Sequence, residues 1–318
     1  MLGRDRNGFA RIVAGALWLA LLLVPASGAQ AQDSRRLIDS KESMYNNIYI
    51  YQDHDDVSMT FGYNRTIYTE SIYNTKDDRD LPVVYTRYMT AALMYSAKAD
   101  NILEIGFGGG RTSWYLHRFL PKAKVTSVEL DPAVEAFARK YFGIKDEDNF
   151  HLESGDGRLF LTKSPEKYDI VLIDAYRGPF VPFHLLTKEF YEEVARHLAP
   201  GGVVAQNVEP STMLFDSAVK TIQSVLPNID LYHAEGNVVT IAYPGSEKTA
   251  EALGDAAAKR QAEFSLRYDL RDMLPDRLPL GANPDAIDPG GKVLTDDFAP
   301  VEALKAIEVH NRKWENKP

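Results

Sequence analysis

Hydrophobic and polar residues follow two different patterns along the chain. From about residue 38 to 69, short runs of Tyr, Ile, Val and Thr are interrupted by polar residues, which is typical of a meander of short β-strands. A charged turn then precedes a helix that is predicted from Pro82 to Ala97, with the proline in its first turn. The strands of the meander are predicted at 47–51, 57–61 and 65–69.

Between residues 101 and 243 the pattern changes to apolar runs that alternate with helical stretches. This alternation indicates βαβ units and an α/β fold whose mostly parallel sheet is covered on both faces. The last two runs are separated only by a short loop that contains Gly and Asn, so the sheet is expected to end in an antiparallel hairpin. Seven strands are predicted, at 102–105, 125–130, 150–153, 170–173, 203–208, 229–233 and 238–243.

The chain continues beyond the hairpin with a helical pattern from Gly245 to about Leu270. A loop rich in Pro, Gly and Asp follows over 274–291, and a final helix is predicted at about 300–314. Residues 246–318 are therefore expected to form a C-terminal helical extension and tail.

Composition and charge exclude several classes of function. The chain of 318 residues has 36 Lys and Arg against 45 Asp and Glu, a formal net charge of −9. An acidic surface repels phosphate backbones, so no nucleic-acid partner is expected, whereas a cationic ligand is tolerated. The absence of Cys excludes disulfides and thiolate chemistry. The 7 His show no pair at metal-ligand spacing, so no metal is expected.

The N-terminus has the layout of a secretory signal peptide. Three arginines precede the apolar run Ile12–Val24, and Pro25 leads into the small-residue pattern Ala29-Gln30-Ala31. We expect cleavage after Ala31, export to the periplasm or the medium, and no stable membrane span in the mature chain, because the run is shorter than the roughly 20 residues that cross a bilayer. The alternative is an uncleaved anchor, which also places the body outside the cytoplasm.

A glycine-rich turn follows the first strand of the α/β region. Gly106, Gly108 and Gly110 form the string E-x-G-x-G-x-G with Glu104. Such glycines let the backbone turn sharply and approach a ligand where a Cβ would collide, although a plain strand-to-helix turn is the alternative. A dinucleotide motif requires glycine where Arg111 stands, so an NAD site fits worse. The positive charges of an adenosyl sulfonium ligand suit the carboxylate of Glu104.

Three more acids stand at or just after the ends of predicted strands, where ligands bind in such sheets. Glu129 is placed to accept both ribose hydroxyls. Asp156, in Ser-Gly-Asp-Gly-Arg, is interpreted as the acceptor for an adenine amino group, with a plain turn as the alternative. Asp174 follows four apolar residues and is interpreted as functional, with helix capping as the alternative.

These motifs, in this order and spacing, resemble the polyamine aminopropyltransferase, or spermidine synthase, family and in particular its bacterial spermidine synthase-like branch. The resemblance covers about residues 42–243 and part of the tail. The segments that carry it are 42–48, the glycine loop, Val128-Glu-Leu-Asp131, Gly155-Asp-Gly-Arg158, Asp174-Ala-Tyr176, Val181-Pro-Phe-His-Leu185 and 294–302.

The resemblance implies a small N-terminal β-domain over 38–80 beside a methyltransferase-like Rossmann domain over 81–245. It implies transfer of an aminopropyl group from decarboxylated S-adenosylmethionine to a small amine such as putrescine. The donor is a co-substrate, so no tightly bound cofactor is expected. Family members commonly associate as dimers, which makes a homodimer a further expectation.

The resemblance also assigns roles to single residues. Glu129 would hold the ribose, and Asp156 with Gly157 would hold the adenine. Asp174 would accept the proton of the attacking amine, and Tyr85 would lie near the amine channel. Tyr176 and His184 complete the expected substrate-binding set, His184 as a loop residue that faces the substrate.

The chain departs from the family pattern where the polyamine charge is bound. An Asp that usually binds the propylamine of the donor is replaced by Gly109, and a second acid after Asp174 is missing while Arg177 stands nearby. A cation there would repel a polyamine. Asp296 and Asp297 of the tail are candidates for the missing negative charge, with capping of the last helix as their alternative role. Three further family residues are replaced, by Asn46, Thr86 and Arg87.

Two other functions stay open from the sequence. A methyltransferase that uses intact S-adenosylmethionine is the first, since Glu104 fits its acidic glycine string and Gly109 would remove a clash with the methionine carboxylate. A non-catalytic protein that binds nucleosides or polyamines outside the cytoplasm is the second, because adenosyl donors are made in the cytoplasm.

Overall fold

The structure is a computed structural model that describes residues 34–63, 66–178 and 180–297. The predicted signal peptide and the predicted helix at 300–314 lie outside these residues. Within the described ranges, no helix is both long enough and apolar enough to cross a membrane.

An antiparallel sheet of four strands opens the described chain, in the order β1-β2-β3-β4. The predicted meander is confirmed, with one additional strand, β1, that sequence analysis did not predict. Most residues of β1 are polar, and its two apolar residues, Leu37 and Ile38, are adjacent and not fully buried. No alternating hydrophobic pattern therefore marks its pairing with β2. The strands are β1 Arg36–Glu42, β2 Asn47–Asp53, β3 Asp56–Tyr63 and β4 Thr66–Asn74.

The central sheet has eight strands in the order β12-β10-β11-β9-β8-β5-β6-β7. Strands β5 to β9 pair in parallel, and β11, β10 and β12 extend the sheet in antiparallel fashion. All seven predicted strands and the terminal hairpin are confirmed. The strands are β5 Asn101–Ile105, β6 Lys124–Glu129, β7 Phe150–Ser154, β8 Tyr168–Ile173, β9 Leu198–Val208, β10 Asn228–Ala234, β11 Asn237–Tyr243 and β12 Arg277–Pro279.

The eighth strand, β12, corrects the prediction of seven. It has only three residues, too few to show a period, and a side-chain contact helps to hold it. The Arg277 guanidinium donates to both oxygens of the buried Asp230 on β10, at 2.7 and 3.1 Å. An ion pair between residues 47 positions apart therefore helps to hold β12 against β10, and no local sequence pattern predicts this strand.

The helix predicted over 82–97 is two short helices instead. Thr90 ends the first, and its hydroxyl donates to the Arg87 carbonyl at 2.6 Å, a side-chain bond that competes with continuation of the helix. The last long helix stops at Phe264, before the predicted Leu270, because Ser265 adopts a left-handed conformation at φ +50°. The helices are α1 Val84–Met89, α2 Ala92–Tyr95, α3 Arg111–Phe119, α4 Pro132–Tyr141, α5 Gly157–Lys163, α6 Lys188–His197, α7 Phe215–Gln223 and α8 Ala250–Phe264.

Both faces of the central sheet are buried. Ile102 and Leu103 are neighbours on β5 but belong to two different hydrophobic clusters, as do Ile170 and Val171 on β8. This period of two is expected of a sheet with helices on both faces.

The N-terminal sheet packs on the same core, with Ile48, Ile50 and Met59 inaccessible to solvent. The described residues from Ser34 onward therefore form one compact unit, and the packing brings β4 against the glycine loop.

Candidate active site

A cavity of about 420 Å³ opens at the carboxyl ends of the parallel strands, within the range of small-molecule sites. Strand β4 and the loop between β1 and β2 close it from the N-terminal sheet. The structure brings most of the sequence-predicted site residues together here; those that line the cavity are Tyr85, Gly106, Gly108, Glu129, Asp156, Gly157, Asp174, Tyr176 and His184.

The glycine loop lies close to the end of β8. A Cβ on Gly106, whose φ is +89°, would stand 2.4 Å from the Asp174 carbonyl oxygen, so only glycine lets the two strand ends meet. The Asp174 amide donates to the Ile105 carbonyl at 2.8 Å. The close approach of Gly106 to the Asp174 backbone places the glycine loop beside the Asp174 side chain.

Glu129 holds the glycine loop from the end of β6. One of its oxygens accepts hydrogen bonds from the amides of Phe107 and Gly108 at 3.0 and 3.1 Å, and the other from the Asp131 amide at 2.9 Å. Burial raises the pKa of Glu129, and these three bonds oppose the rise. The carboxylate lines the cavity and can accept a further hydrogen bond from a ligand. Its role in ribose binding stays a prediction.

Asp131 ties the N-terminal sheet to this edge. It caps α4 by accepting from the Ala133 amide at 2.9 Å, and it also accepts from Ser43 Oγ at 2.5 Å and Asn46 Nδ2 at 3.1 Å. Asn46, one of the residues that departs from the family pattern, therefore lies on the cavity wall.

Asp156 caps a helix and also contacts His184. One oxygen accepts from the Leu159 amide at 2.8 Å and caps α5, and the other lies 2.9 Å from His184 Nε2. Asp156 and His184 line the same cavity, and the roles of Asp156 toward adenine and of His184 toward the substrate stay predictions.

The tail does not supply the missing negative charge. Asp296 accepts two hydrogen bonds from Arg158, at 2.8 and 2.6 Å, and Arg158 also donates to the His184 carbonyl at 3.0 Å. Neither Asp296 nor Asp297 lines the cavity. The expectation fails because the Asp296 carboxylate is neutralised by Arg158, and the contact instead fixes the loop that carries His184.

Asp174 is held by two donors from different elements. Tyr85 Oη donates to Oδ2 and Asn207 Nδ2 donates to Oδ1, both at 3.0 Å. Among the residues described after β8, the first helical element is a 3₁₀ turn at Phe183–Leu185, so Asp174 caps none of the helices described. Burial raises the pKa of Asp174 to about 6, with the bonds from Asn207 and Tyr85 opposing.

Two further residues fix this arrangement. Asn237 Nδ2 donates to Asn207 Oδ1 at 2.9 Å, which turns the Asn207 amide group toward Asp174. Tyr176 Oη donates to the Asn207 carbonyl at 3.1 Å.

Burial and the Asp174 charge raise the pKa of Tyr85 well above its usual range, so the Tyr85 hydroxyl stays protonated and remains a hydrogen-bond donor.

Glu104 lies outside the lining of the large cavity. Its side chain is buried on β5, where it accepts from Ser127 Oγ at 2.9 Å, and burial raises its pKa to about 8. Glu104 lines a smaller pocket beside the cavity, together with Glu70 and Asp174, so its role toward a cationic ligand stays a prediction. Gly110 is also outside the lining and forms the N-terminal cap of α3.

The space beside Gly109 is filled. A Cβ on Gly109 would stand 2.6 Å from Phe142 Cδ1 and 2.7 Å from Ser71 Cβ, and its amide donates to Ser71 Oγ at 2.8 Å. No aspartate fits at this position without movement. The idea that Gly109 leaves room for a methionine carboxylate therefore has no structural support.

Sequence reasoning missed four residues of this site. Asn207 and Asn237 are neutral amides on different strands, and no charge or motif singles them out. Glu70 and Ser71 lie on β4 in a run of mixed polar residues, where nothing local shows that they face another part of the chain. Glu70 could have been suspected only as a lone acid directly after the strand predicted at 65–69.

The family model of the spermine/spermidine synthase domain matches residues 83–244, about half of the chain. The chain belongs to this family. It is 28% identical over 297 residues to the polyamine aminopropyltransferase of Vibrio vulnificus, an alignment that covers 90% of this chain and 96% of the relative. Family membership makes the chain a transferase, in agreement with the resemblance found in its motifs.

Solved structures with the same fold include two spermidine synthases. A probable spermidine synthase from Corynebacterium glutamicum matches with a TM-score of 0.66 at 17% identity, covering 83% of this chain and 98% of that one. A spermidine synthase in complex with the transition state analogue AdoDATO matches with a TM-score of 0.62 at 21% identity, covering 79% and 87%. The predicted methyltransferase-like Rossmann architecture with an N-terminal β-sheet is confirmed.

Proposed function

We propose that this protein transfers the aminopropyl group of decarboxylated S-adenosylmethionine to a small primary amine, with Asp174 as the general base. The observation that carries this proposal is the Asp174 carboxylate itself. It lines the cavity, it is oriented by Tyr85 and Asn207, and its pKa of about 6 lets it accept a proton near neutral pH.

The chemistry needs little beyond this base. The attacking amine is protonated near neutral pH, and Asp174 takes one proton so that the nitrogen lone pair is free. The nitrogen bonds to the donor methylene next to the sulfonium, the carbon–sulfur bond breaks, and its electron pair goes to sulfur. Methylthioadenosine leaves as a neutral thioether, and the transferred group stays on the amine.

The nucleoside end of the donor is proposed to lie along the strand ends. Glu129 is the acceptor for the ribose hydroxyls, and Asp156 with Gly157 receives the adenine. Their shared position on the cavity wall supports this orientation, which sets the sulfonium near Asp174. Tyr176 and His184 belong to the substrate wall for the same reason.

The test is turnover of decarboxylated S-adenosylmethionine with putrescine, followed as release of methylthioadenosine. We expect Asp174→Asn to lower kcat by about 100-fold or more, the usual share of a general base. Asp297→Asn, the same change at an exposed position outside the cavity, is the matched control and should leave turnover unchanged. Undiminished turnover in Asp174→Asn would refute the assignment.

Intact S-adenosylmethionine is the comparison ligand for the methyltransferase alternative. Tighter binding of the carboxylated donor, with methyl transfer to any amine, would replace the proposal. Failure of every adenosyl ligand to bind would favour a non-catalytic role.

Export and self-association are also proposals. Export is supported by the signal-peptide layout of residues 1–31 and is tested by the mass of the mature chain isolated from its native cell. A homodimer is supported by the family resemblance alone and is tested by light scattering of the purified protein.

A further inference from the structure

Strand β4 carries a carboxylate that the mechanism above does not use. We propose that Glu70 binds the primary ammonium of the aminopropyl donor and thereby replaces the acid that the family places where this chain has Gly109. The inference rests on the proposed function and names the residue that recognises one end of its substrate.

A β-bulge directs Glu70 into the cavity. On β3 the neighbours Met59 and Thr60 pair with Ser71 and Thr69 of β4, so Glu70 is an extra residue without a partner in the ladder. Adjacent side chains of a regular strand point to opposite faces, whereas a bulge redirects one of them. Glu70 and Ser71 accordingly both line the cavity.

The bulge sits directly beside the glycine loop. Ser71 Oγ accepts the Gly109 amide at 2.8 Å, and the Ser71 Cβ takes up the room that a side chain on Gly109 would need. An acid is therefore excluded from position 109 by the same strand that brings Glu70 to the cavity. This adjacency favours the donor ammonium over the acceptor amine as the partner of Glu70.

The Glu70 carboxylate has no protein partner among the described residues. No hydrogen bond or ion pair reaches it, and the charged groups that act on it are the carboxylates of Asp174 and Glu129. Burial first, and then these two charges, raise the pKa of Glu70 well above its usual range. A half-buried acid that faces two other carboxylates is costly unless a cation joins it.

The charge balance of the cavity points to a cationic ligand. Its wall carries the carboxylates of Glu70, Glu129, Asp156 and Asp174, against one exposed arginine, Arg177. Decarboxylated S-adenosylmethionine brings a sulfonium and an ammonium. Intact S-adenosylmethionine adds a carboxylate next to its ammonium, which Glu70 would repel. Glu70 is thus also the residue that selects the decarboxylated donor.

The experiment compares three ligands on one substitution, Glu70→Gln, by calorimetry. We expect the Kd of decarboxylated S-adenosylmethionine to rise about 10- to 100-fold, as for loss of a hydrogen-bonded charge partner. Binding of methylthioadenosine, which has the nucleoside but no ammonium, should change less than about twofold, which also shows that the variant is folded. The preference for decarboxylated over intact donor should fall by about tenfold or more. Glu251→Gln, an exposed position on α8, is the matched control.

Two results would overturn the inference. Equal weakening of all three ligands would mean that Glu70 maintains the cavity rather than binds the ammonium. An unchanged donor Kd with a raised KM for the acceptor alone would assign Glu70 to the other amine.

A failure of the proposed function can be distinguished from a failure of the inference about Glu70. If wild-type protein binds the donor through Glu70 but converts no amine, aminopropyl transfer is refuted while the role of Glu70 stands. If turnover is normal and donor binding ignores Glu70, only the inference about Glu70 falls.

Discussion

The hydroxyl of Tyr85 is one of two donors that stabilise the Asp174 carboxylate, and Tyr85→Phe removes this hydroxyl with little change of shape. The hydroxyl donates to Asp174 Oδ2 at 3.0 Å, a bond that stabilises the carboxylate and lowers its pKa. Without it the carboxylate keeps only the bond from Asn207. We therefore expect the pKa of Asp174 to rise above its value of about 6.

The size of the shift follows from the energy of the bond. A hydrogen bond to a charged group is worth about 1.5–3 kcal/mol, and one pKa unit corresponds to about 1.4 kcal/mol. Because Asp174 also reaches the cavity, where water replaces part of the lost bond, we expect a shift of about one unit rather than two. Asp174 acts as the carboxylate, so a higher pKa moves the acidic limb of the activity profile to higher pH.

The assay is kcat/KM for the decarboxylated donor between about pH 5.5 and pH 9. With the limb moved from about 6 to about 7, activity should fall about fivefold at pH 6 and about twofold at pH 7, and match wild type above about pH 8.5. Tyr88→Phe is the matched control, since Tyr88 lies on the same helix but donates to Asp276 at 2.6 Å and does not line the cavity.

A loss of activity that is equal at every pH would refute this reasoning. It would mean that Tyr85 acts on the substrate and not through Asp174. An identical shift in Tyr88→Phe would point to a general effect of α1 instead.

Two further predictions concern the support of the site. Asn237→Ala removes the hydrogen bond that orients the Asn207 amide toward Asp174. We expect the acidic limb of the activity profile to move to higher pH by less than in Tyr85→Phe, and the donor Kd to stay unchanged. A changed donor Kd would contradict the idea that Asn237 acts through Asn207 on Asp174. Gly109→Ala places a Cβ within 2.6 Å of Phe142, so thermal unfolding should show a loss of about 1–3 kcal/mol. Gly254→Ala on α8, where the nearest atom lies 3.9 Å away, should keep or raise Tm, and an equal loss in both variants would contradict the steric reason.

The sequence predicted the central sheet because that sheet is buried on both faces. Most of its strands from β5 to β11 contain a short apolar run that stands out against helical stretches, the edge strand β7 being the exception. The acids after those runs fall at one edge of the sheet by topology alone. The grouping of Glu129, Asp156 and Asp174 around one cavity follows from that rule.

The same rule does not bring Glu104 to the wall of the large cavity, because Glu104 lies one residue inside its strand. Ile105 follows it, so the period of two turns the Glu104 side chain into the buried layer below the glycine loop, where it accepts from Ser127. A single position along a strand thus separates an acid on the cavity wall from one that is buried beside it.

What the sequence alone determined is the succession of strands and helices along the chain and the residue types at the strand ends, because burial and turn formation are local and periodic. The tertiary structure decided which groups meet. The bulge that exposes Glu70, the support of Asp174 by Asn207 and Asn237, and the neutralisation of Asp296 by Arg158 each join segments far apart in the chain. Pairing register and side-chain approach of this kind depend on the packing of whole elements, which no local pattern contains.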